Sequence, residues 1–447
     1  MRDILVALIV FGSIPFILRN AYIGVLVWSW LSYMNPHRFG WGFAYDFPFA
    51  QIIAIVLFVA TVACKDRRTI PFNGLTFFWF IFLCWMCVTT LFALQPDPAL
   101  IQLIKVLKIQ LVIVFTLILI HKKEHIIALI WVIVLSIGFF GVKGGVFTIL
   151  TGGSFRVWGP PSSFIEDNNE LAIALLMLLP LIYYLKTQTN NFWIQRGLLV
   201  AMLLCTLSVF ASYSRGAFLT IGVVSVFLLM KTRHKFVVLT LLLIGGVAVL
   251  TFLPSKWHER IDTIQNYEQD ASAMGRINAW TYSVNVASDR LTGGGFSSWS
   301  TLTFHLYAPN PNDVHAAHSI YFGVLGDHGW IGLLLFLLIL LLAWRTGTWI
   351  LKNTKSIEEL KWAYDLVFFL QISMVAYCFG GAFLSLAYFD LPWHLIAIIL
   401  LVKRLVQEHL ANPNSSEIIG NVENVGIKRQ KTTKSSHQNI IGEKTSF

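Results

Sequence analysis

Apolar runs of 15 or more residues recur almost end to end in this chain, and a chain written that way has too little polar surface to face water. Only 13% of its 447 residues are charged, about half the ~25% of a soluble globular chain. That excludes a soluble enzyme, a disordered scaffold and a small disulfide-stapled domain. A bilayer core takes ~20 mostly apolar residues per helix. Segments of this kind fall at about 48–64, 74–94, 101–120, 125–148, 170–185, 193–212, 216–230, 236–253, 318–344, 363–384 and 390–402. Residues 4–34 add a stretch interrupted by Pro15, Arg19 and Asn20, either two short helices or one kinked span, for a total of 12 or 13. A transmembrane β-barrel is excluded because its strands alternate over ~10 residues. The expected fold is an all-α polytopic membrane protein.

The Lys and Arg residues set an orientation. Lys65, Arg67 and Arg68; Lys122 and Lys123; Lys186 and Arg196; Lys231, Arg233 and Lys235; Arg345, Lys352, Lys355 and Lys361; and Lys403 and Arg404 fall on every second loop. Cytoplasmic loops carry such an excess. The alternate loops are poor in these clusters, and the longest, 254–317, holds four basic and six acidic residues, net −2. It is expected on the periplasmic side. The chain's net charge of +10 therefore reports topology, and no nucleic-acid partner is expected. The resulting division is transmembrane helices with short loops over 1–253, a long periplasmic loop over 254–317, C-terminal transmembrane helices over 318–405, and a polar, disordered cytoplasmic tail over 406–447. The N-terminal run lacks an Ala-x-Ala-like cleavage site and reads as a retained membrane segment. There is no internal repeat. All five cysteines lie in or beside apolar segments; Cys84 and Cys87 lack the second pair that a zinc site requires.

Polar and ionisable side chains inside or beside spans are functional candidates by default, and four groups stand out. Arg215 lies in the short turn Ala211-Ser212-Tyr213-Ser214-Arg215-Gly216-Ala217, where a guanidinium could fork onto phosphate oxygens or simply snorkel to the interface. Arg276, in Met274-Gly275-Arg276-Ile277-Asn278-Ala279-Trp280, is expected near a helix start with its free N–H groups. His318, at the head of a span after Asp313-Val314-His315-Ala316-Ala317, could accept a proton or orient a hydroxyl. Asp313, His315, His318 and His305 could instead bind metal, though no Glu completes the His-Glu-x-x-His pattern. Gly326-Asp327-His328-Gly329 follows. The fourth group comprises Arg156, Lys143, Lys105 and Lys108 with the run Glu166-Asp167-Asn168-Asn169-Glu170. Lys105 and Lys108 share a helical face at i, i+3, and Pro160-Pro161 makes 154–170 a stiff extended loop. Together these residues suit handling of an anionic group, such as a lipid diphosphate, without metal.

The order of Ser214 to Ala217, Gly275 to Trp280, Leu291-Thr-Gly-Gly-Gly-Phe296, Ala317-His318-Ser319-Ile320-Tyr321 and Gly329-Trp330-Ile331-Gly332 resembles the O-antigen ligase superfamily, which includes O-antigen polymerases and protein O-oligosaccharyltransferases. It is most similar to the O-glycosylation ligases of exosortase A systems. The resemblance covers residues 150–345 by motif. It implies an inner-membrane glycosyltransferase that moves a glycan from undecaprenyl diphosphate to an acceptor hydroxyl at the periplasmic face, with no cofactor. Arg215 and Arg276 match its diphosphate-binding arginines, His318 its acceptor-activating histidine, and Asn169 the asparagine of its Asp-x-Asn-x-x-Ala pattern. Arg156, Lys105, Lys108 and His315 complete the expected substrate-binding set. Ser319 and Asp327 stand where many members have Asn and Glu. The acceptor expected is a protein hydroxyl or a lipid A-core sugar; a growing glycan would make the chain a polymerase. A lipid-linked sugar flippase is the alternative from another class.

Overall fold

A computed structural model describes residues 1–231 and 271–412. Among these residues the chain is all-helical, with no strand. The helices are α1 Arg2–Arg19, α2 Tyr22–Met34, α3 Phe49–Ala63, α4 Gly74–Leu91, α5 Pro96–Leu119, α6 Lys123–Leu150, α7 Asn168–Gln188, α8 Phe192–Phe210, α9 Arg215–Lys231, α10 Ala271–Asp289, α11 Thr301–Tyr307, α12 Ile320–Thr354, α13 Lys361–Gly380 and α14 Asp390–Ala411. Among the described residues seven helices are long and apolar enough to cross a membrane, namely α4 to α8, α12 and α13; α2, α3 and α9 are shorter apolar helices. The expected span at 236–253, residues 254–270 of the long loop and the tail from 413 onward lie outside the described residues. The N-terminal stretch is two helices. α1 runs through Pro15 and stops at Asn20, whose backbone is extended.

Short polar residues define the starts. Asn73 accepts from the N–H groups of Leu75 and Thr76 in a capping box, and Asn191 does the same for Trp193 and Ile194. Asp167 caps α7, and Ser319 caps α12. Such caps each contribute about 1 kcal/mol. α7 is the most enclosed of the seven long helices and α8 the least, so α7 forms the centre, flanked by α6, α8 and α13. Small residues let α6 and α8 approach closely. A Cβ on Gly145 would lie 2.2 Å from the Leu204 carbonyl oxygen, and one on Gly141 2.5 Å from Cys205 Sγ.

The two ends of the bundle differ in chemistry. At one end Arg68 pairs with Glu408 at 3.3 Å, Arg404 donates to the Thr69 carbonyl, and Lys123 lies over the Trp362 ring. These belong to the Lys/Arg-rich set. α12 continues to Thr354, so Arg345 and Lys352 lie on that helix and not in the loop after it. The opposite end gathers the starts of α7, α9 and α12. There α12 kinks at Gly329, whose φ is +67°. The glycine run docks on this kink: Gly294 N–H donates to the Gly326 carbonyl at 2.8 Å and Gly295 N–H to that of Asp327 at 2.9 Å. A Cβ on Gly329 would sit 2.4 Å from the Leu291 carbonyl oxygen, so the joint requires glycine both for its φ and for its lack of bulk.

Candidate active site

The site is assembled by α10. Asn278 binds the backbone of the segment ahead of α12 from both ends of its amide, donating to the carbonyls of Asn310 and Asp313 and accepting from Asn310 N–H, each at 2.9 Å. One turn before Trp280, Gly275 leaves room for the His315 ring, which a Cβ would approach to 2.5 Å. Trp280 donates its indole N–H to the Ala317 carbonyl at 2.7 Å and stacks on Phe322. Arg276 and Trp280 are i, i+4 and share one helical face, so the helix that pins Ala317 also carries a guanidinium toward the next residue, His318.

His318 is half-buried and adopts a left-handed φ of +41°, a conformation that costs ~1–3 kcal/mol for most residues and clusters at functional sites. Burial lowers its pKa from the ordinary imidazole value. The Arg276 guanidinium lowers it further, the Asp167 carboxylate raises it, and His315 adds a smaller lowering. His315 itself lies with Nε2 2.7 Å from Asp313 Oδ1. Burial pulls the Asp167 carboxyl up, but hydrogen bonds with Glu170 and with the backbone and side-chain N–H groups of Asn169 outweigh it and hold Asp167 below its usual value. Glu170 is buried beside Asp167 and within the field of Arg276. Arg276, His318, Asp167 and Glu170 thus form one electrostatic cluster.

Arg215 is the first residue of α9 and not a member of the turn itself; the turn is Ala211 to Ser214, with Tyr213 at φ +56°. The Ser214 hydroxyl caps α9 by accepting from Ala217 N–H at 3.2 Å. Buried Asn168 ties this turn to the start of α7 by donating to the Ser212 carbonyl at 2.6 Å. Val157 N–H donates to Ala211 and the Tyr213 hydroxyl to Gly153, so exposed Arg156 lies on the loop laid against Arg215's turn, within the field of Tyr213. Asn169 donates to Asp167 Oδ1 at 2.7 Å.

Arg276 is the sixth residue of α10 as described, Ala271–Asp289. Lys105 and Lys108 lie on α5. They border a cavity of about 840 Å³ with Arg38 and Asp390, where Lys105 Nζ sits 4.0 Å over the Phe164 ring. His305 is exposed on α11, and Lys143 is exposed on α6. Among the described residues no three His, Cys, Asp or Glu side chains are grouped to hold a metal ion. The residues least legible in advance were Asp167 as a partner of His318, Glu170 as a partner of Asp167, and Trp280 as the tether of Ala317. A carboxylate run opening an apolar helix was the available signal for the first two.

Residues 1–190 match a family of unknown function, DUF5935. Among curated proteins no match to the chain is found. Residues 200–337, which include Arg215, Arg276 and His318, match the family model described as O-antigen ligase, and over that stretch this is what the chain is similar to.

Proposed function

We propose that the chain transfers a glycan en bloc from undecaprenyl diphosphate to an acceptor hydroxyl, without metal, at the periplasmic face of the inner membrane. The observation that carries this reading is a half-buried histidine with a lowered pKa beside an arginine. An imidazole kept neutral can take a proton, and a guanidinium in a water-poor site can hold the charge of a departing diphosphate.

In this reaction the acceptor O–H loses its proton to the His318 imidazole as its oxygen attacks the anomeric carbon. The bond from that carbon to the diphosphate oxygen breaks, and its electron pair leaves with undecaprenyl diphosphate. Arg276 and Arg215 stabilise that leaving charge. Direct displacement inverts the anomeric centre. Asp167 stabilises the imidazolium that forms, and Arg156 and Asn169 border the same end. The acceptor is a hydroxyl of an exported protein, in keeping with the exosortase-type resemblance, or of lipid A-core; a growing glycan end would make the same chemistry a polymerase.

The test uses purified protein in lipid with a defined undecaprenyl-diphosphate glycan. Pilin-type protein, lipid A-core and glycan acceptors are offered separately, beside His318→Ala. Product joined to one acceptor, lost in the variant, with release of undecaprenyl diphosphate, is the expected result. Intact donor crossing the bilayer with no product would overturn it in favour of a flippase.

A further inference from the structure

α2, α3 and α5 border the cavity of about 840 Å³, which falls within the ~300–1,000 Å³ of small-molecule sites. α2 packs against both α3 and α5, and its Trp28, Leu31 and Tyr33 form a buried wall. Residues 162–165, and Phe389 and Asp390 where α14 begins, add the rest of the lining. Arg215, Arg276 and His318 do not line it.

Two lysines sit where a membrane helix rarely tolerates them. Lys105 and Lys108 are the tenth and thirteenth of the 24 residues of α5, ~14 and ~18 Å along a helix of ~36 Å. Charges at such depth almost always face a protein interior or a wet cavity, and they mark functional sites. Both lysines line this cavity. Helical side chains lean toward the start of their helix, and Lys105 Nζ accordingly reaches Phe164 at 4.0 Å. The two carboxylates on the lining are engaged. Asp46 pairs with Arg38 at 3.2 Å, while Asp390, 3% exposed, accepts from the Ser32 hydroxyl at 2.6 Å and lies within the field of Lys105. Lys108 has no carboxylate partner among the described residues. One positive charge is therefore left over.

One side of the cavity opens between α3 and α5. Ile55 and Leu111 line it and are 65% and 43% exposed, and exposed Phe58, Val59 and Val62 continue the apolar strip along α3. A deep cation beside an apolar exit suits a ligand with a small anionic end and an apolar remainder.

We infer that this cavity holds the phosphodiester headgroup of a glycerophospholipid, with Lys108 on the phosphate and the acyl chains leaving between α3 and α5. Lysine binds phosphate as a point charge, and basic pockets between membrane helices hold lipid head groups. A phosphodiester carries one negative charge, matching the one lysine left over, whereas a diphosphate would bring more charge than the cavity balances. The site goes beyond the transfer reaction. Apart from Phe389 and Asp390, its lining belongs to residues 1–190, the stretch that matches the family of unknown function. Ile165 lies two residues before Asp167, so the lipid braces the loop that leads into that carboxylate.

The experiment is native mass spectrometry of the delipidated full chain in detergent, titrated with dioleoyl phosphatidylglycerol, dioleoylglycerol or glycerol 3-phosphate. Phosphatidylglycerol should bind, dioleoylglycerol at least tenfold more weakly, and glycerol 3-phosphate not at all. Lys108→Gln should weaken phosphatidylglycerol at least tenfold, and Lys108→Arg should restore it to within threefold. Ala50 is exposed and lines the cavity, so Ala50→Trp fills the space with both lysines in place and should also cost at least tenfold. Hydrogen exchange locates the lipid: phosphatidylglycerol should slow the amides of 162–165 at least twofold in wild type and leave them unchanged in Ala50→Trp. Equal binding of dioleoylglycerol would make this a merely apolar groove, and binding of glycerol 3-phosphate a free-phosphate site. Displacement by equimolar undecaprenyl diphosphate would make it a donor site. Each of these, or an unchanged affinity in folded Lys108→Gln or Ala50→Trp, overturns the inference. Glycosyl transfer is read separately, by product formation, so its failure leaves this result standing.

Discussion

The Trp280 indole N–H donates to the carbonyl oxygen of Ala317 at 2.7 Å, which fixes the backbone one residue ahead of His318 to the helix that carries Arg276. The proposed base and the proposed anion-binding cation therefore move as a unit. Trp280→Phe keeps a ring to stack on Phe322 and removes the donor. Leaving the half-buried carbonyl unmatched costs ~1–3 kcal/mol, so kcat should fall about 5- to 100-fold while KM for the donor changes little. Steady-state transfer kinetics at matched expression checks this; unchanged kcat would mean that the tether has no positioning role.

Arg276→Lys should lose transfer nearly as fully as Arg276→Ala. An ammonium retains the charge but not the bidentate fork, and removing one stabilising donor costs roughly 10²–10³ in kcat. Product formation by mass spectrometry, normalised to folded protein, gives the readout. Lysine activity within threefold of wild type would count heavily against a diphosphate contact.

The pH dependence has a definite sign. His318 acts as base when neutral, so transfer is lost as pH falls through its pKa. Burial, Arg276 and His315 lower that pKa below the ordinary 6.5 while Asp167 raises it. The acid limb of kcat/KM should therefore lie below pH 6.5, and Asp167→Asn should move it lower still. Stability follows the same linkage: the neutral-imidazole contribution is full above 6.5 and declines as pH falls toward the lowered value. An acid limb shifted upward in Asp167→Asn would contradict the arrangement.

Gly329→Ala should destabilise the chain by more than ~2 kcal/mol, because a left-handed φ alone costs ~1–3 kcal/mol and the added Cβ would meet the Leu291 carbonyl at 2.4 Å. Gly323→Ala, one and a half turns earlier on the same helix and facing open space, should be neutral or slightly stabilising. Thermal unfolding in detergent compares the two directly.

Hydropathy made the fold class legible, because an apolar run long enough to cross a bilayer needs no tertiary information to be read. The break at Asn20 was legible as an interruption, but choosing two helices over one kinked span needed the extended backbone at that residue. His318 and both arginines were visible as charges beside apolar segments. Their company was not: Asp167, whose charge acts on His318, lies about 150 residues before it, and no local pattern reports a pairing made across helices. Asp327 was visible in Gly326-Asp327-His328-Gly329, but the hydroxyl that Tyr388 donates to it from beyond α13 was not.

The docking of the glycine run on the α12 kink has a consequence for inheritance. The same run also reaches the turn between α4 and α5, where Leu94 N–H donates to the Gly294 carbonyl at 2.8 Å, while Arg290 donates to the Phe92 carbonyl at 2.6 Å. Those turn residues belong to the stretch matching the family of unknown function, and the glycines to the stretch matching O-antigen ligase. The seam between the two stretches thus combines backbone and side-chain bonds, among them the Trp85 indole N–H donating to the His328 carbonyl at 2.9 Å and the Thr89 hydroxyl paired with His328 Nδ1 at 2.7 Å. Chimaeras that graft residues 1–190 from a relative onto this chain should mature only when the α4–α5 turn keeps its backbone path, so the two stretches are exchangeable only together.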